Sequence, residues 1–233
     1  MISLEQAVVA RLESHGDRFE ILVDPDAAAR VRQGEKVNIE DVVAALFVFE
    51  NASKTDKASD ESLKKVFETT DFGTIAERII KKGEIHLTAE QRKQMVENKR
   101  MQVITFISRN AVNPQTKLPH PPKRIEMAME QARVNIDPFK HLDEQVKEVV
   151  KALRPILPIK FAEMKFAVKI PADYAPKAYG EITSSTTVER EEWQRDGSWI
   201  CVCKIPAGIQ DEFYDMINRL TKGDGDVKIL SQD

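Results

Sequence analysis

Four basic or titratable residues lie in and beside a proline-rich stretch in the middle of the chain. Residues 111–129 contain Lys117, His120, Lys123 and Arg124 together with four prolines. Proline fixes φ near −65° and removes a backbone donor, so we expect a stiff loop that joins neither a sheet nor a helix interior. Cations held on a stiff loop lose less entropy when an anion binds them. The stretch therefore predicts a positively charged contact for a structured, anionic partner.

Further cations occur at two other places. Lys54 and Lys57 lie on a polar loop predicted at residues 51–59, where ammonium and backbone N–H groups can approach phosphates. Arg92, Lys93 and Arg100 project from a helix that is predicted to begin after Thr88. We predict eight nucleic-acid contacts: Lys54, Lys57, Arg92, Lys93, Arg100, Lys117, Lys123 and Arg124.

Charge is unevenly distributed along the sequence, whose net charge is −3. Residues 88–160 hold 14 basic and 8 acidic residues, whereas residues 1–87 hold 12 and 17, and residues 161–233 hold 9 and 13. Only the middle segment is basic, and this regional excess favours nucleic acid where the overall charge does not. A solvated helical face would give the same count, so that alternative stays open.

Aromatic residues are scarce, at 6% of the chain, and the basic segment contains only Phe106 and Phe139. Proteins that hold single-stranded nucleic acid usually stack the bases on aromatic side chains. We therefore expect recognition of phosphates and of the shape of folded RNA rather than base stacking.

No residue pattern typical of an enzyme or a metal site is evident. The four histidines are scattered, and Cys201 and Cys203, two apart on a predicted strand, would need two further ligands to bind zinc. We expect buried thiols in a reducing cytoplasm, with no cofactor and no metal. An enzyme that uses Cys201 or Cys203 remains an alternative.

Residues 1–87 mix strand and helix patterns, which indicates an α+β module. A hairpin is predicted around the turn His15-Gly16-Asp17. Asn38 is predicted to cap a helix over residues 38–45, and Gly83 to follow the last turn of another. The predicted strands cover residues 7–12, 18–23 and 46–50, and the predicted helices cover residues 25–32, 38–45, 61–67 and 74–82.

Residues 88–160 show a helical period instead. Thr88 and Gln91 match a capping box at the start of the first helix. Its apolar stripe is predicted at Val96, Val103, Ile107 and Ala111, with Arg92, Lys93, Lys99 and Arg100 off the stripe. Two further stripes at residues 125–136 and 142–153 complete a small bundle of three helices. The prolines of residues 154–158 indicate a stiff linker.

Residues 161–233 alternate again in the order βαββαβ, which is typical of a ferredoxin-like unit. Asp196-Gly197 is predicted as a hairpin turn that brings Trp193 and Trp199 into a cross-strand pair. The predicted fold class is α+β in three domains: an N-terminal α+β module at 1–87, a central three-helix bundle at 88–160 and a C-terminal ferredoxin-like domain at 161–233.

Three motifs resemble a known family. They are N-P-Q-T-K followed by I-E and A-M within residues 113–129, F-E-N-A-S-K at residues 49–54 and I-K-K-G-E-I at residues 80–85. The chain resembles the Shwachman-Bodian-Diamond syndrome protein family in this order over nearly its whole length, and it is identified as an archaeal-type member. The resemblance implies the same three-part layout, with an N-terminal RNA-binding module of the FYSH type.

The resemblance also implies a function. Members of the family act without catalysis in maturation of the large ribosomal subunit, so we expect the chain to bind the large subunit and its rRNA. They cooperate with a translocase-like GTPase to release an anti-association factor. We expect a cytoplasmic monomer without membrane contact, in which the acidic C-terminal part faces protein. An alternative of another class is an RNA-processing adaptor associated with the exosome.

Overall fold

The computed structural model describes residues 2–4 and 6–232 of the chain. It divides into two compact units, one formed by residues 1–100 and 136–144 and the other by residues 101–135 and 145–233. Each unit has its own hydrophobic core.

A five-stranded antiparallel sheet organises the first unit. Its strands are β1 (Val8–Ser14), β2 (Asp17–Val23), β3 (Phe49–Asn51), β4 (Asp56–Lys57) and β5 (Glu84–His86), in the spatial order β4-β3-β2-β1-β5. The β1–β2 hairpin closes as predicted, with His15 and Gly16 as the two turn residues between the paired Ser14 and Asp17. Both have positive φ, at 55° and 84°, which matches the twist of a two-residue hairpin.

Three helices cover this sheet. They are α1 (Pro25–Arg32), α2 (Asp60–Phe67) and α3 (Phe72–Lys82), close to their predicted positions. Ile75 and Ile79 on α3 are fully buried in one core with Phe19 and Ile21 of β2. The Phe19 and Phe67 rings meet edge to face, with centroids 4.9 Å apart. The apolar stripe of α3 thus packs against the inward-facing side chains of β2.

The helix predicted at residues 38–45 is wrong. Asn38 does act as a cap, but only for a single 3-10 turn at Ile39–Asp41. After that turn, the backbone of residues 42–44 forms hydrogen bonds with β2 and with Asp24, the residue that follows it. The Asp24 N–H donates to the Val42 carbonyl at 2.8 Å, and the Ala44 N–H donates to the Leu22 carbonyl at 2.9 Å. These bonds to distant residues replace the local helical ones. The strand predicted at 46–50 is present as the shorter β3.

The middle of the chain is helical, as predicted. Helix α4 (Ala89–Asn110) leads into β6 (Ala111–Val112), followed by α5 (Pro122–Gln131), α6 (Leu142–Leu153) and β7 (Lys160–Phe161), and β7 pairs with β6. The capping box is confirmed, because the Gln91 N–H donates to Thr88 Oγ1 and the Thr88 N–H donates to Gln91 Oε1, at 3.1 and 3.0 Å. Helices α4 and α6 each contribute residues to both units.

Residues 154–158 do not extend as a free linker. The Leu157 N–H donates to the Leu153 carbonyl at 2.8 Å, and the Leu157 side chain is buried. The Pro158 carbonyl lies 2.9 Å from Nε2 of His120. The stretch is therefore packed within the second unit.

A four-stranded antiparallel sheet completes the second unit. The elements are β8 (Glu163–Ile170), α7 (Ala175–Ser185), β9 (Thr187–Trp193), β10 (Trp199–Pro206), α8 (Gln210–Thr221) and β11 (Asp226–Gln232). The spatial order β11-β8-β10-β9 is that of a ferredoxin-like unit. Trp193 and Trp199 face each other across β9 and β10, as predicted, with ring centroids 6.1 Å apart.

The predicted α+β class is confirmed, with sheets at both ends of the chain and helices in the middle. The domain boundaries at residues 87 and 160 stay a prediction. Within residues 2–4 and 6–232, no helix has the length and apolar character that crossing a bilayer requires.

Candidate nucleic-acid interface

The first group of predicted contacts lies on a short, ordered turn. After β3 the chain forms a 3-10 turn at Ala52–Lys54, and Thr55, with φ of 58°, reverses it into β4. The Asn51 side chain accepts a hydrogen bond from the Lys54 N–H at 3.2 Å. Lys54 and Lys57 are both exposed. The loop predicted from its polar composition is thus a compact turn that presents two cations to solvent.

The buried side chain of Glu20 holds this turn in place, a contact that the sequence analysis missed. Its carboxylate is 2% exposed, and Oε2 accepts a hydrogen bond from the Ala52 N–H at 2.8 Å. Oε1 accepts from Nε of Arg11 at 2.8 Å and from Nε of Arg18 at 2.7 Å. Burial alone would raise the pKa of Glu20, but the hydrogen bonds from Ala52, Arg18 and Arg11 together hold this pKa below its ordinary value.

A signal for this anchor exists in the hairpin register. Arg11 and Glu20 lie directly opposite each other on β1 and β2. Once the turn at His15-Gly16 is fixed, the register follows and places an acid opposite a base. The third partner, Ala52, is 32 positions away from Glu20, so no local pattern could have indicated it.

Lys57 rests on an aromatic ring. Its Nζ lies 3.3 Å from the ring centroid of Phe47, and Phe47 is 49% exposed. A cation over a ring face is attracted by the ring quadrupole, which restrains the lysine without removing its charge. This contact was missed, because Phe47 fell within a predicted strand.

The second group lies on the first half of α4. Arg92 and Lys93 are exposed, as predicted, while Arg100 is partly buried. The prediction that Lys99 lies off the buried stripe is wrong, because Lys99 is only 5% exposed. Burial lowers the pKa of Lys99, while the charge of Asp137 acts in the opposite direction. The buried row of α4 therefore runs through Met95, Lys99 and Val103.

The third group contains Lys117, in the proline-rich loop of the second unit. The Asn113 N–H donates to the Leu118 carbonyl at 2.9 Å, and the Lys117 N–H donates to the Asn113 carbonyl at 2.8 Å. The Asn113 side chain also accepts a hydrogen bond from the Gln115 N–H at 2.8 Å. Lys117 is exposed and adopts the left-handed conformation, with φ of 63°. The loop is stiff because its own backbone hydrogen bonds close it, in addition to its prolines.

Lys123 and Arg124, also of the third group, lie in the first turn of α5, which Pro122 begins. Both are exposed, and Nζ of Lys123 lies 2.8 Å from Oε2 of Glu126. That carboxylate raises the pKa of Lys123. Cations at the positive end of a helix dipole are unfavourable, whereas an anion bound there is attracted by both the dipole and the side chains.

His120 does not contribute to the charge of this loop. It is 2% exposed, and its Nε2 donates to the Pro158 carbonyl at 2.9 Å. Burial lowers the pKa of His120, and the charge of Arg124 lowers it further, although the bond to Pro158 opposes them. Grouping His120 with the cations of this loop is therefore wrong, since its ring is a buried packing element.

The eight predicted residues fall into both units. Lys54, Lys57, Arg92, Lys93 and Arg100 belong to the first unit, and Lys117, Lys123 and Arg124 belong to the second. Their assignment as nucleic-acid contacts stays a prediction, which the exposure of all but the partly buried Arg100 permits.

Other chemistry finds little support in the structure. Cys201 and Cys203 are both buried on β10, so the alternative of a reactive thiol lacks access to a substrate. Across the residues that the structure describes, no three or more histidine, cysteine or acidic side chains are grouped so as to hold a metal ion.

Comparison with known families accounts for nearly the whole chain. Residues 6–93 match the Shwachman-Bodian-Diamond syndrome (SBDS) N-terminal domain, residues 101–162 match domain II of the SBDS protein, and residues 164–232 match its C-terminal domain. The resemblance inferred from the three motifs is therefore confirmed.

Curated relatives agree with this match. The chain is 54% identical to the Ribosome maturation protein SDO1 homolog of Methanothermobacter thermautotrophicus over 231 residues, which covers 99% of this chain and all of the relative. It is 38% identical to the protein of the same name from Aeropyrum pernix, with 98% of each chain covered. Identity to the Ribosome maturation protein SBDS of Rattus norvegicus is 29%, with 99% of this chain and 92% of the relative covered.

Proposed function

Because this chain belongs to the Shwachman-Bodian-Diamond syndrome protein family, we propose that it is a non-enzymatic ribosome maturation factor that binds rRNA of the large subunit. The observation that carries the proposal is the similarity over the full chain to proteins named for ribosome maturation, at up to 54% identity. A match of this extent includes every element that presents the predicted contacts.

The geometry of the cations supports attachment through phosphates. Lys54 lies on a turn held by a buried carboxylate, and Lys117 lies on a loop closed by its own hydrogen bonds. Preorganised cations lose little conformational entropy on binding. Several weak contacts on linked parts of one chain would then give high combined affinity without any tight single site.

The C-terminal sheet is suited to a protein partner. Its edge strand β9 presents the exposed acids Glu191 and Glu192 and the half-exposed Trp193, while Trp199 is buried beneath. Acidic residues disfavour contact with RNA phosphates, and exposed aromatics are common in protein interfaces. We propose that this sheet contacts a translocase-like GTPase. In the cytoplasm, the chain and this GTPase would together release the anti-association factor.

Co-sedimentation with the organism's purified large ribosomal subunits tests RNA attachment. We expect the wild-type chain to bind at low salt and to dissociate steeply as salt rises, because phosphate contacts release counterions. Changing Lys117, Lys123 and Arg124 to Glu should weaken binding at least about 10-fold. The control carries the same charge change at three exposed lysines elsewhere, Lys64, Lys177 and Lys228.

Two results would count against the proposal. If the loop variant binds like the control, these residues do not hold the subunit. If the wild-type chain captures RNase subunits from a lysate and no large-subunit protein, the exosome adaptor becomes the better description.

The proposed GTPase contact has a separate test. Trp193→Ala should leave subunit binding unchanged and slow release of the anti-association factor by the GTPase. Unchanged release would remove β9 from the proposed interface.

A further inference from the structure

A groove in the second unit is lined by cations that the sequence analysis did not select. It has a volume of about 500 Å³ and lies between the C-terminal half of α6 and the strand β7. Its apolar lining comes from Val150, Ile159 and Phe161, and its rim carries four exposed cations, Lys147, Lys151, Arg154 and Lys160.

Three of the cations form a row: Lys147 and Lys151 lie on α6, and Arg154 directly follows its last residue, with its N–H donating to the Val150 carbonyl at 3.1 Å. Lys147 and Lys151 are four positions apart, and Arg154 follows three positions later, so all three lie on neighbouring turns. Like charges at this spacing destabilise a helix slightly. Within the described residues, none of the four rim cations has an ion pair with a carboxylate. A polyanion that lies along the row would provide anionic partners for these cations.

The length of the row suits a nucleic-acid strand. Lys147 and Arg154 are seven positions apart, which corresponds to about 10 Å along the helix axis at 1.5 Å per residue. Cations spaced along one side of a groove can contact successive phosphates of a single strand that lies in it. Arg154 adds a planar donor group that binds phosphate in a bidentate manner.

The floor of the groove favours RNA over an acidic peptide. Phe161 is 44% exposed although it lies in a paired strand. Its ring meets Phe106 edge to face, with centroids 6.2 Å apart, so the orientation of the exposed ring is restrained. An exposed aromatic ring beside basic side chains is the arrangement on which unpaired bases stack.

We propose that this groove binds an unpaired stretch of large-subunit rRNA, with phosphates on Lys147, Lys151 and Arg154 and a base against Phe161. The inference rests on the proposed function and adds a further attachment site, one that uses base stacking, whereas the scarcity of aromatics in the basic segment led us to expect none. Lys160, next to Phe161 on β7, lies on the rim beside the same base.

The test compares binding of the full chain to two probes, intact large subunits and protein-free large-subunit rRNA. The charge variant is Lys147→Glu with Lys151→Glu, and its control is Lys64→Glu with Lys177→Glu, two exposed lysines on other helices. We expect about 10-fold or greater loss for the charge variant on both probes, and a log–log salt dependence that is shallower by about 2.

A neutral variant separates stacking from charge. Phe161→Leu keeps an apolar residue in β7 and should weaken binding to both probes about 5-fold, with the salt slope unchanged, because stacking releases no counterions. If the glutamate pair does not fold, Lys147→Gln with Lys151→Gln removes the same charges without reversal.

The outcomes distinguish this inference from the proposed function. Groove variants that bind both probes like the control overturn the inference while the proposed function stands. Loss on intact subunits but not on free rRNA assigns the groove to an acidic protein and also overturns it. Failure of the wild-type chain to bind either probe removes the proposed function and, with it, the groove assignment.

Discussion

The buried carboxylate of Glu20 accepts a hydrogen bond from the backbone N–H of Ala52, at 2.8 Å. Glu20 lies in the middle of β2, and Ala52 begins the turn that carries Lys54. A core strand thereby fixes the position of an exposed cation, even though the two residues are far apart in sequence. The same carboxylate joins Arg11 and Arg18, so one buried charge organises three other groups.

Replacing Glu20 by Gln should destabilise the first unit by about 1–3 kcal/mol, because two arginines lose a charged acceptor. Thermal or urea unfolding measures the change. The turn at Ala52 should also loosen, which amide hydrogen exchange at Lys54 would detect as faster exchange. Glu50→Gln, at an exposed position of β3, is the matched control. Equal stability of the two variants would contradict an anchoring role.

The pKa of Glu20 gives this prediction a pH dependence. Since the folded-state pKa lies below the ordinary value, the stabilisation is fully present above about 4.3, the unfolded value for Glu. It is lost as the pH falls through the folded pKa. Wild-type stability should therefore decrease on acidification in this range, and Glu20→Gln should show a flatter profile than Glu50→Gln.

Local signals in the sequence predicted much of the fold. The turn at His15-Gly16 and the capping box at Thr88 and Gln91 depend only on residues within a few positions, and both are confirmed. The helix predicted at residues 38–45 was wrong because the backbones of Val42 and Ala44 form hydrogen bonds with residues about 20 positions away. Propensity and capping signals carry no information about such distant partners.

The candidate site was predictable to a lesser extent, for a related reason. Sequence spacing identifies cations but not their burial, so Lys99 was grouped with its exposed neighbours although it lies in the buried row of α4. His120 was grouped with the cations of its loop, whereas its ring is buried and hydrogen-bonded to the carbonyl of Pro158, 38 positions away. Whether a polar residue faces solvent depends on packing between elements.

Gly83 should not tolerate alanine. A Cβ atom there would lie 2.4 Å from the Arg11 carbonyl oxygen and 2.5 Å from that of Ile79. Both contacts are to backbone atoms, so β1 or α3 would have to shift. Gly83 follows the last turn of α3 as predicted, but its φ of −83° shows that close approach, not a left-handed conformation, requires the glycine.

We expect Gly83→Ala to destabilise the protein by about 1–3 kcal/mol, measured by thermal unfolding. Gly180→Ala in α7 is the control, since a Cβ there meets nothing within 4 Å. That change should raise stability by about 0.5–1 kcal/mol, because alanine favours helix over glycine. A neutral Gly83→Ala would show that β1 or α3 can shift without cost.

His120 should make the second unit sensitive to mild acid. Burial lowers its folded-state pKa, so the unfolded chain takes up a proton first as the pH falls. The stabilisation is therefore complete above about 6.5, the ordinary histidine value, and is lost as the pH falls through the folded pKa. Urea unfolding at pH 7.5 and at pH 5 should show the decrease.

The variant His120→Gln tests this assignment. Glutamine can still donate to the Pro158 carbonyl but does not titrate, so the pH-dependent loss should shrink. At pH 7.5 the variant should be less stable by about 1 kcal/mol, because the imidazole packing is lost. The control is His141→Gln, which replaces an exposed histidine and leaves His120 in place, so the pH dependence that His120 causes should remain. If His120→Gln also keeps the wild-type pH profile, another group titrates.

Removing the carboxylate beside Lys123 should strengthen RNA binding. Oε2 of Glu126 lies 2.8 Å from Nζ of Lys123, so under the proposed function it would compete with a bound phosphate for the ammonium group. Glu126→Gln keeps the shape of the side chain and makes the first turns of α5 more positive. We expect an increase in affinity for large subunits of about 2- to 5-fold at low salt, fading as salt screens the charge.

The charge-matched control for this variant is Glu61→Gln on α2, an exposed acid in the other unit. A gain in both variants would reflect net charge alone, and a gain in neither would place the phosphate away from Lys123. A gain confined to Glu126→Gln would locate the phosphate at Lys123. A phosphate bound far from Glu126 would be screened from its carboxylate and would not respond to the change. Adding Lys123→Gln to Glu126→Gln should then abolish the gain, since the ammonium group that the carboxylate occupies is gone.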